Sequence, residues 1–252
     1  MTDMLETVRE AFPRFKSFLS HASPFAESAW LGPISNGKAL EMLSLFSISE
    51  AAISLADEFS LPSFRNDNYD HYYLRNEFPN HHEAQAGHEA HLLSQCSLED
   101  RFYASVVPKL TFSLRGNSFM VFREGNPLHL LFCLLKGKTH YKDRPDISIV
   151  EGEIRSLALD GGRMYFEHYS RGIKACYEIS IRNSNHIPIR DATLPKGYTI
   201  NTIGVVECSV TKSKKHVDDQ LHRYSELFSN TCDKSPEMLV SDDFPPRLYG
   251  SQ

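Results

Sequence analysis

Several things are missing from this 252-residue chain, and each absence removes a class of protein. The opening MTDMLETVREAFPRF has no apolar core of the kind a secretion signal needs. The longest apolar run, Leu128 to Leu135, is broken by His129 and is far too short to span a bilayer, so no membrane segment is expected. The five cysteines (Cys96, Cys133, Cys176, Cys208, Cys232) are odd in number and contain no CxxC pair. They read as reduced thiols in a cytoplasmic protein, not as a disulfide framework. There is no internal repeat and no low-complexity tract. Nor is there an excess of positive charge: the net charge of −5 argues against a protein that coats DNA by broad phosphate neutralisation. An acidic metal site with a local basic patch remains compatible with that balance. A content of 41% hydrophobic and 23% charged residues excludes a largely disordered chain.

What is present changes character along the sequence. Residues 1–95 are expected to be mostly helical, first in LETVREAFPRFKSFL, divided by Pro13, then as a helix pair from Gly37 to Leu61. Within that region, residues 62–91 are polar, aromatic and rich in histidine, which reads as a long loop or a contact surface. From residue 96 to 232 the pattern turns to α/β. Ser97 caps a helix with Asp100 three residues on. LTFSL and SFMVF alternate as strands, and a short apolar helix follows at Pro127 to Leu135. DISIV and MYFEHYS read as strands bracketing a turn at Asp160-Gly161-Gly162, with KACYEISI and TIGVVECSV as further strands. A last amphipathic helix from about Ser213 to Asn230 carries Val217, Leu221, Tyr224 and Phe228 on one stripe. Residues 233–252 read as a loose tail.

Two short pieces carry chemistry. In Arg144-Pro145-Asp146 the proline sits just before the apolar ISIV, where its missing N–H costs no ladder bond, and it leaves Asp146 at the mouth of a strand. An aspartate after proline is also a common turn choice. In Gly204-Val205-Val206-Glu207-Cys208-Ser209 a glutamate interrupts an apolar strand, a position that is costly to bury without a partner. On a solvent-facing edge it would need no such reason. Residues two apart on a strand share a face, so Glu207 and Ser209 point the same way. Two acids delivered by adjacent strands would offer the oxygen ligands a hard divalent cation needs. Glu153 is a poorer partner for Asp146, because one unbroken strand would separate them by about 23 Å.

The order of Pro-Asp, hairpin, glutamate at the end of an apolar strand, and amphipathic helix with Gln-x-x-x-Tyr (Gln220 and Tyr224) resembles the PD-(D/E)xK nuclease superfamily, which includes type II restriction enzymes and recombination nucleases. The resemblance covers roughly residues 97–230. It implies a restriction-endonuclease-like α/β core, a central mixed sheet flanked by helices, with the helical N-terminal region added. It also implies an endonuclease that hydrolyses DNA phosphodiester bonds with Mg²⁺, or Mn²⁺ in its place, acting in restriction or anti-phage defence as a homodimer or in a larger complex. Asp146 and Glu207 would bind the metal with help from the Cys208 carbonyl, and Glu99 would be a helix-borne third acid, though the dipole of a capped helix already explains a glutamate there.

The chain departs from the family at one place: Ser209 stands where the superfamily has a lysine. Lys212, Lys214 and Lys215 are the nearest replacements, and the choice stays open between Lys215, which follows the strand into the helix, and Lys212, which has thirteen residues between it and Glu226 as in some restriction enzymes. Basic residues Lys136, Lys138, Lys142 and Arg144 before the aspartate, with Lys214, Arg223 and Tyr224 after the glutamate, are candidate nucleic-acid contacts. Exposed basic residues are also ordinary solvated surface, and Asp218 and Asp219 dilute the field. Tyr69, Tyr72 and Tyr73 among Arg65 and Arg75 are candidates to stack on bases or to pack a junction. Two rival functions stand beside the nuclease: a non-catalytic nucleic-acid-binding or complex-assembly subunit that lost the lysine, and a zinc-stabilised interaction module built on His81, His82, His88, His91 and Cys96.

Overall fold

The computed structural model describes residues 36–60, 108–123, 128, 145–160, 163–180, 189–209, 214–229, 232, 234, 236–241 and 249–250. Helix α1 (Asn36–Leu55) leads into strands β1 (Glu58–Ser60), β2 (Leu110–Leu114), β3 (Asn117–Arg123) and β4 (Ile147–Glu151). Four strands follow: β5 (Glu153–Asp160), β6 (Arg163–Ser170), β7 (Ile173–Ser180) and β8 (Ile189–Thr193). The chain then forms β9 (Thr202–Cys208), helix α2 (Lys214–Ser229), β10 (Glu237–Ser241) and β11 (Tyr249–Gly250). The fold is α/β with a mixed sheet.

The main sheet has seven strands in the order β1-β2-β3-β4-β9-β10-β11. Its neighbours are antiparallel except β9 and β10, which run parallel. A parallel pair needs a crossover connection, and α2 supplies it. The same helix covers one face of the sheet, where Val217, Leu221, Tyr224 and Phe228 pack on Val205 and Val240. On the opposite face Leu40, Leu45 and Ile48 of α1 pack on Leu110, Val121, Ile147, Val206 and Cys208. Covered on both sides, β9 is buried at every position but Ile203, which is why its sequence is apolar almost throughout. Each Leu, Val or Phe so buried contributes about 1.5–3 kcal/mol.

The amphipathic stripe expected on the last helix is therefore the stripe that meets the sheet. Three expectations need correction. Gly37 to Leu61 is not a helix pair: one helix ends at Leu55 and the chain turns into β1, which pairs with β2. Helix α1 packs in the main core, against β2, β3, β4 and β9. Residues 237–241, expected in a loose tail, form β10 inside the sheet, with Val240 and Ser241 buried. The apolar Met238-Leu239-Val240 is short, and its partner β9 lies across a helix, so the pairing leaves no local trace.

The third correction concerns the second sheet, β5-β6-β7-β8, an antiparallel meander inserted between β4 and β9. DISIV does not pair with MYFEHYS. The partner of β6 is β5, EIRSLALD, and Asp160 faces Arg163 across the expected turn. The chain passes from β4 to β5, and so from one sheet to the other, through Gly152 alone. That residue has φ of 112°, and a β-carbon there would lie 2.4 Å from both His168 Nε2 and the Tyr169 carbonyl oxygen. Only glycine takes both the dihedral and the close approach. No helix among the described residues is long and apolar enough to cross a membrane.

Candidate functional site

Strand pairing brings the two predicted acids to one place. Ile147, which opens β4, is opposite Val206 in the antiparallel β9. The next rung outward sets Asp146 against Glu207, at the same end of the sheet. Asp146 Oδ2 accepts the backbone N–H of Cys208 at 2.7 Å, which ties the aspartate to the peptide unit that follows Glu207. Charge-assisted bonds of this length are the stronger class.

The face is also shared. Val205 packs against α2, so Glu207, two residues on, points to the same side. There the Tyr224 hydroxyl donates to Glu207 Oε2 at 2.9 Å, and Gln220 Nε2 donates to the Tyr224 hydroxyl at 3.4 Å. Gln220 and Tyr224 are one helical turn apart on α2, so the Gln-x-x-x-Tyr spacing appears here as a relay that holds the glutamate in place. Glu207 is 1% exposed. Tyr224, expected among the nucleic-acid contacts, is instead completely buried, and its hydroxyl meets Glu207 rather than solvent. Burial first, then the charge of Glu207 and its hydrogen bond, and then the charge of Asp146, push the Tyr224 phenol well above its ordinary range. The phenol therefore stays protonated and remains a donor to the carboxylate. The Cys208 thiol is likewise pushed far up by burial and by Asp146, with Glu41 and Glu207 adding to it. It is no nucleophile in that state.

Sequence reasoning named Ser209 for its shared face with Glu207 and for the absent lysine, but missed Ser148 and the Glu41–Arg123 pair. Ser148 shares the Asp146 face of β4, and Ser209 continues the Glu207 face of β9, its N–H still in the ladder to Ser241 at 2.9 Å. Ser148 is 0% exposed and Ser209 6%, and neither hydroxyl has a hydrogen-bond partner among the described residues. A buried polar group left unmatched costs about 1–3 kcal/mol, so two beside two carboxylates ask for an explanation. On the α1 side of the sheet, Glu41 accepts from both Nε and Nη2 of Arg123, at 3.0 and 2.8 Å, in a buried ion pair. Arg123 is opposite Ile147, one residue from Asp146. A buried glutamate in ALEMLSLF carries the same signal as Glu207, an acid inside an apolar helix run, and points to that pair.

The other predicted residues are not gathered here. Lys215 and Arg223 are exposed on α2. Lys215 precedes the buried Val217 by two positions, about 200° around the helix. Lys214 opens α2, but its side chain lies outside the described residues, as do Glu99, Lys136, Lys138, Lys142, Arg144 and Lys212. So do the tyrosine–arginine stretch at 65–75 and the histidine stretch from His81 to Cys96. Glu153 sits beyond the far end of β4, in the second sheet, ion-paired to Arg155.

Among the described residues no three His, Cys, Asp or Glu side chains are grouped to hold a metal. The donors at the strand ends are two carboxylates, two hydroxyls and backbone carbonyls, all oxygen. That set fits Mg²⁺, which commonly takes one or two carboxylates and keeps several waters, and does not suit zinc. Comparison with known proteins finds no family model, no curated protein and no solved structure that matches the chain.

Proposed function

We propose that this protein is a Mg²⁺-dependent phosphodiesterase with a restriction-endonuclease-like core that cuts DNA, serving restriction or another anti-phage defence. One observation carries the reading: Asp146 and Glu207, 61 positions apart in the chain, are held side by side at neighbouring strand ends by the Cys208 N–H and the Tyr224 hydroxyl. A divalent cation bound there would supply a Lewis acid for the phosphate and a water of lowered pKa. Asp146 and Glu207 would hold that cation, with the Cys208 carbonyl as a further oxygen. Gln220 and Tyr224 would fix the rotamer of Glu207, so that its carboxylate is already in place when substrate arrives. Positive charge for the phosphorane would come from Lys212 or Lys215, and Lys138, Lys142, Arg144, Lys214 and Arg223 would meet the DNA backbone. Mn²⁺ would substitute for Mg²⁺, and cutting both strands would call for a homodimer or a larger complex.

The test is cleavage of plasmid DNA with Mg²⁺ by wild type, Asp146→Ala and Glu207→Ala. Nicking or linearisation by wild type, lost in both variants, is the expected result. Equal cutting by all three discards the site. The uncharged Ser209 in the lysine position favours a second reading, a subunit that binds nucleic acid or assembles a complex without cutting. DNA binding in a gel-shift assay, with no cleavage in either Mg²⁺ or Mn²⁺, selects it.

A further inference from the structure

Three regions outside the proposed acids hold unexplained polar chemistry. The Glu41–Arg123 pair is matched within itself. The outer face of the second sheet carries Tyr165 and Tyr169 among Arg155, Lys174, Glu167 and Glu178, and its charges are largely spent on each other: Tyr169 and Lys174 both bond Glu167, and Tyr165 bonds Glu178. The third is the pair of unpartnered hydroxyls beside the acids, and it leads further.

We infer that Ser148 and Ser209 belong to the metal site, as the hydroxyls that hydrogen-bond the water shell of the cation between Asp146 and Glu207. The inference rests on the reading of that pair as a cation site. Its own support is the placement of the two hydroxyls and their burial. On β4 the order is Asp146, Ser148, and on β9 it is Glu207, Ser209, with both pairs on the face that α2 covers. Ser148 is opposite Val205, so Glu207 is its diagonal neighbour on that face, within about 7–8 Å. Ser209 extends the same row by one more step. Both hydroxyls are more than nine-tenths buried and have no partner among the described residues. A hydrated Mg²⁺ has the complementary need, because its bound waters must place their protons on second acceptors. A hydroxyl accepts such a proton and donates its own, which an alanine cannot do and an ammonium does only as a donor. Ser209 in place of lysine then has a chemical meaning: that position serves the hydration of the ion, and positive charge comes from the ion and from a lysine elsewhere.

The test is binding of Mn²⁺ to the full chain, followed by the fall of the free-ion paramagnetic signal, beside thermal melting without metal. Ser148→Ala and Ser209→Ala should each weaken Mn²⁺ binding about tenfold, the usual size for a group one shell out from a metal. Their melting without metal should stay at or above that of wild type, since each removes an unmatched hydroxyl. Ser209→Thr, which keeps the hydroxyl, should bind within about twofold of wild type, against the tenfold loss expected for a missing outer-shell group. Ser170→Ala serves as the control, because its hydroxyl is also buried and unpartnered but lies in the second sheet. Wild-type affinity in both alanine variants, with binding lost in Asp146→Ala and Glu207→Ala, overturns the role of the serines and leaves the acid site standing. An equal loss in Ser170→Ala overturns it as well. No Mn²⁺ binding by wild type overturns the acid site and this inference together.

Discussion

Strand β4 has a polar cluster at each end, and the two are built differently. At the Glu151 end the groups answer one another. Arg171 donates through Nε and Nη2 to the Glu151 carboxylate at 2.8–2.9 Å, and Asn201 adds a longer contact of 3.3 Å. His168 is 0% exposed. Its Nε2 faces the Glu151 carbonyl at 3.2 Å, so Nε2 carries the proton, and Nδ1 accepts from the Tyr198 hydroxyl. Tyr198 in turn accepts from Tyr177 at 2.9 Å. A guanidinium meets a carboxylate and a neutral imidazole sits in a closed chain of donors and acceptors. At the Asp146 end a backbone N–H and a phenol donate to the acids, and two hydroxyls next to them have no partner among the described residues. A closed network is what a joint between sheets requires, because it fixes one geometry. A network with open positions is what a site for a ligand requires. Among the described residues Ser170 is a single unmatched hydroxyl on the joint side, so the contrast lies in what the hydroxyls stand beside, not in their existence.

The largest effect that separates the two ends should come from Gly152→Ala. It forces an L side chain to φ of 112° and puts its β-carbon 2.4 Å from a carbonyl oxygen and from His168 Nε2. Backbone strain of about 1–3 kcal/mol and a clash of similar size should together cost about 3–5 kcal/mol. Urea unfolding measures it. A loss below about 1 kcal/mol, the size of an ordinary surface substitution, would mean that the joint is slack and the closed network is not what fixes it.

Acid should act next, and on the same end. Burial holds His168 down at about 4, against 6.5 for the free imidazole, with the Glu151 carbonyl and charge pulling weakly the other way. The unfolded chain therefore binds a proton over that window while the folded chain does not. Stability should be complete above pH 6.5 and should fall as the pH drops towards 4, by about 3 kcal/mol in all from this group. Unfolding midpoints at pH 7 and pH 5 read the slope, and His168→Gln should flatten it. An unchanged slope in that variant would assign the acid sensitivity elsewhere.

The two ends were also unequally legible in the sequence. Glu207 stood out because an acid inside IGVVECSV has to be explained, Asp146 because proline marks a strand mouth, and Gln220 and Tyr224 because their Gln-x-x-x-Tyr spacing resembles a nuclease motif. Those signals are local. The joint left none. In MYFEHYS strict alternation puts Phe166, His168 and Ser170 on one face and Tyr165, Glu167 and Tyr169 on the other, and both faces carry aromatics and polar groups. Nothing in seven residues says which face is buried. Strand β5 was hidden because EIRSLALD mixes charges with Leu and Ala, and β10 because its parallel pairing depends on β9, across α2. The unpartnered state of Ser148 and Ser209 is a property of the packed sheet and no pattern of residues announces it.

The smallest effects belong to the relay behind Glu207, and their ranking tests whether it positions the acid or merely fills space. Tyr224→Phe keeps the buried ring and deletes a hydroxyl bonded to a 1% exposed carboxylate. Hydrogen bonds to charged groups are worth about 1.5–3 kcal/mol, so the loss should be about 2 kcal/mol. Gln220→Ala removes a longer contact of 3.4 Å on a half-buried side chain, and a weak neutral bond of that kind should cost about 0.5 kcal/mol. If the hydroxyl orients Glu207, Tyr224→Phe should also weaken Mn²⁺ binding, while Gln220→Ala should change it little. Filling space alone would give the opposite signature: the phenylalanine variant as stable as wild type and its metal affinity untouched. The stability loss and the affinity loss have to move together, because both follow from one hydroxyl holding one carboxylate in place.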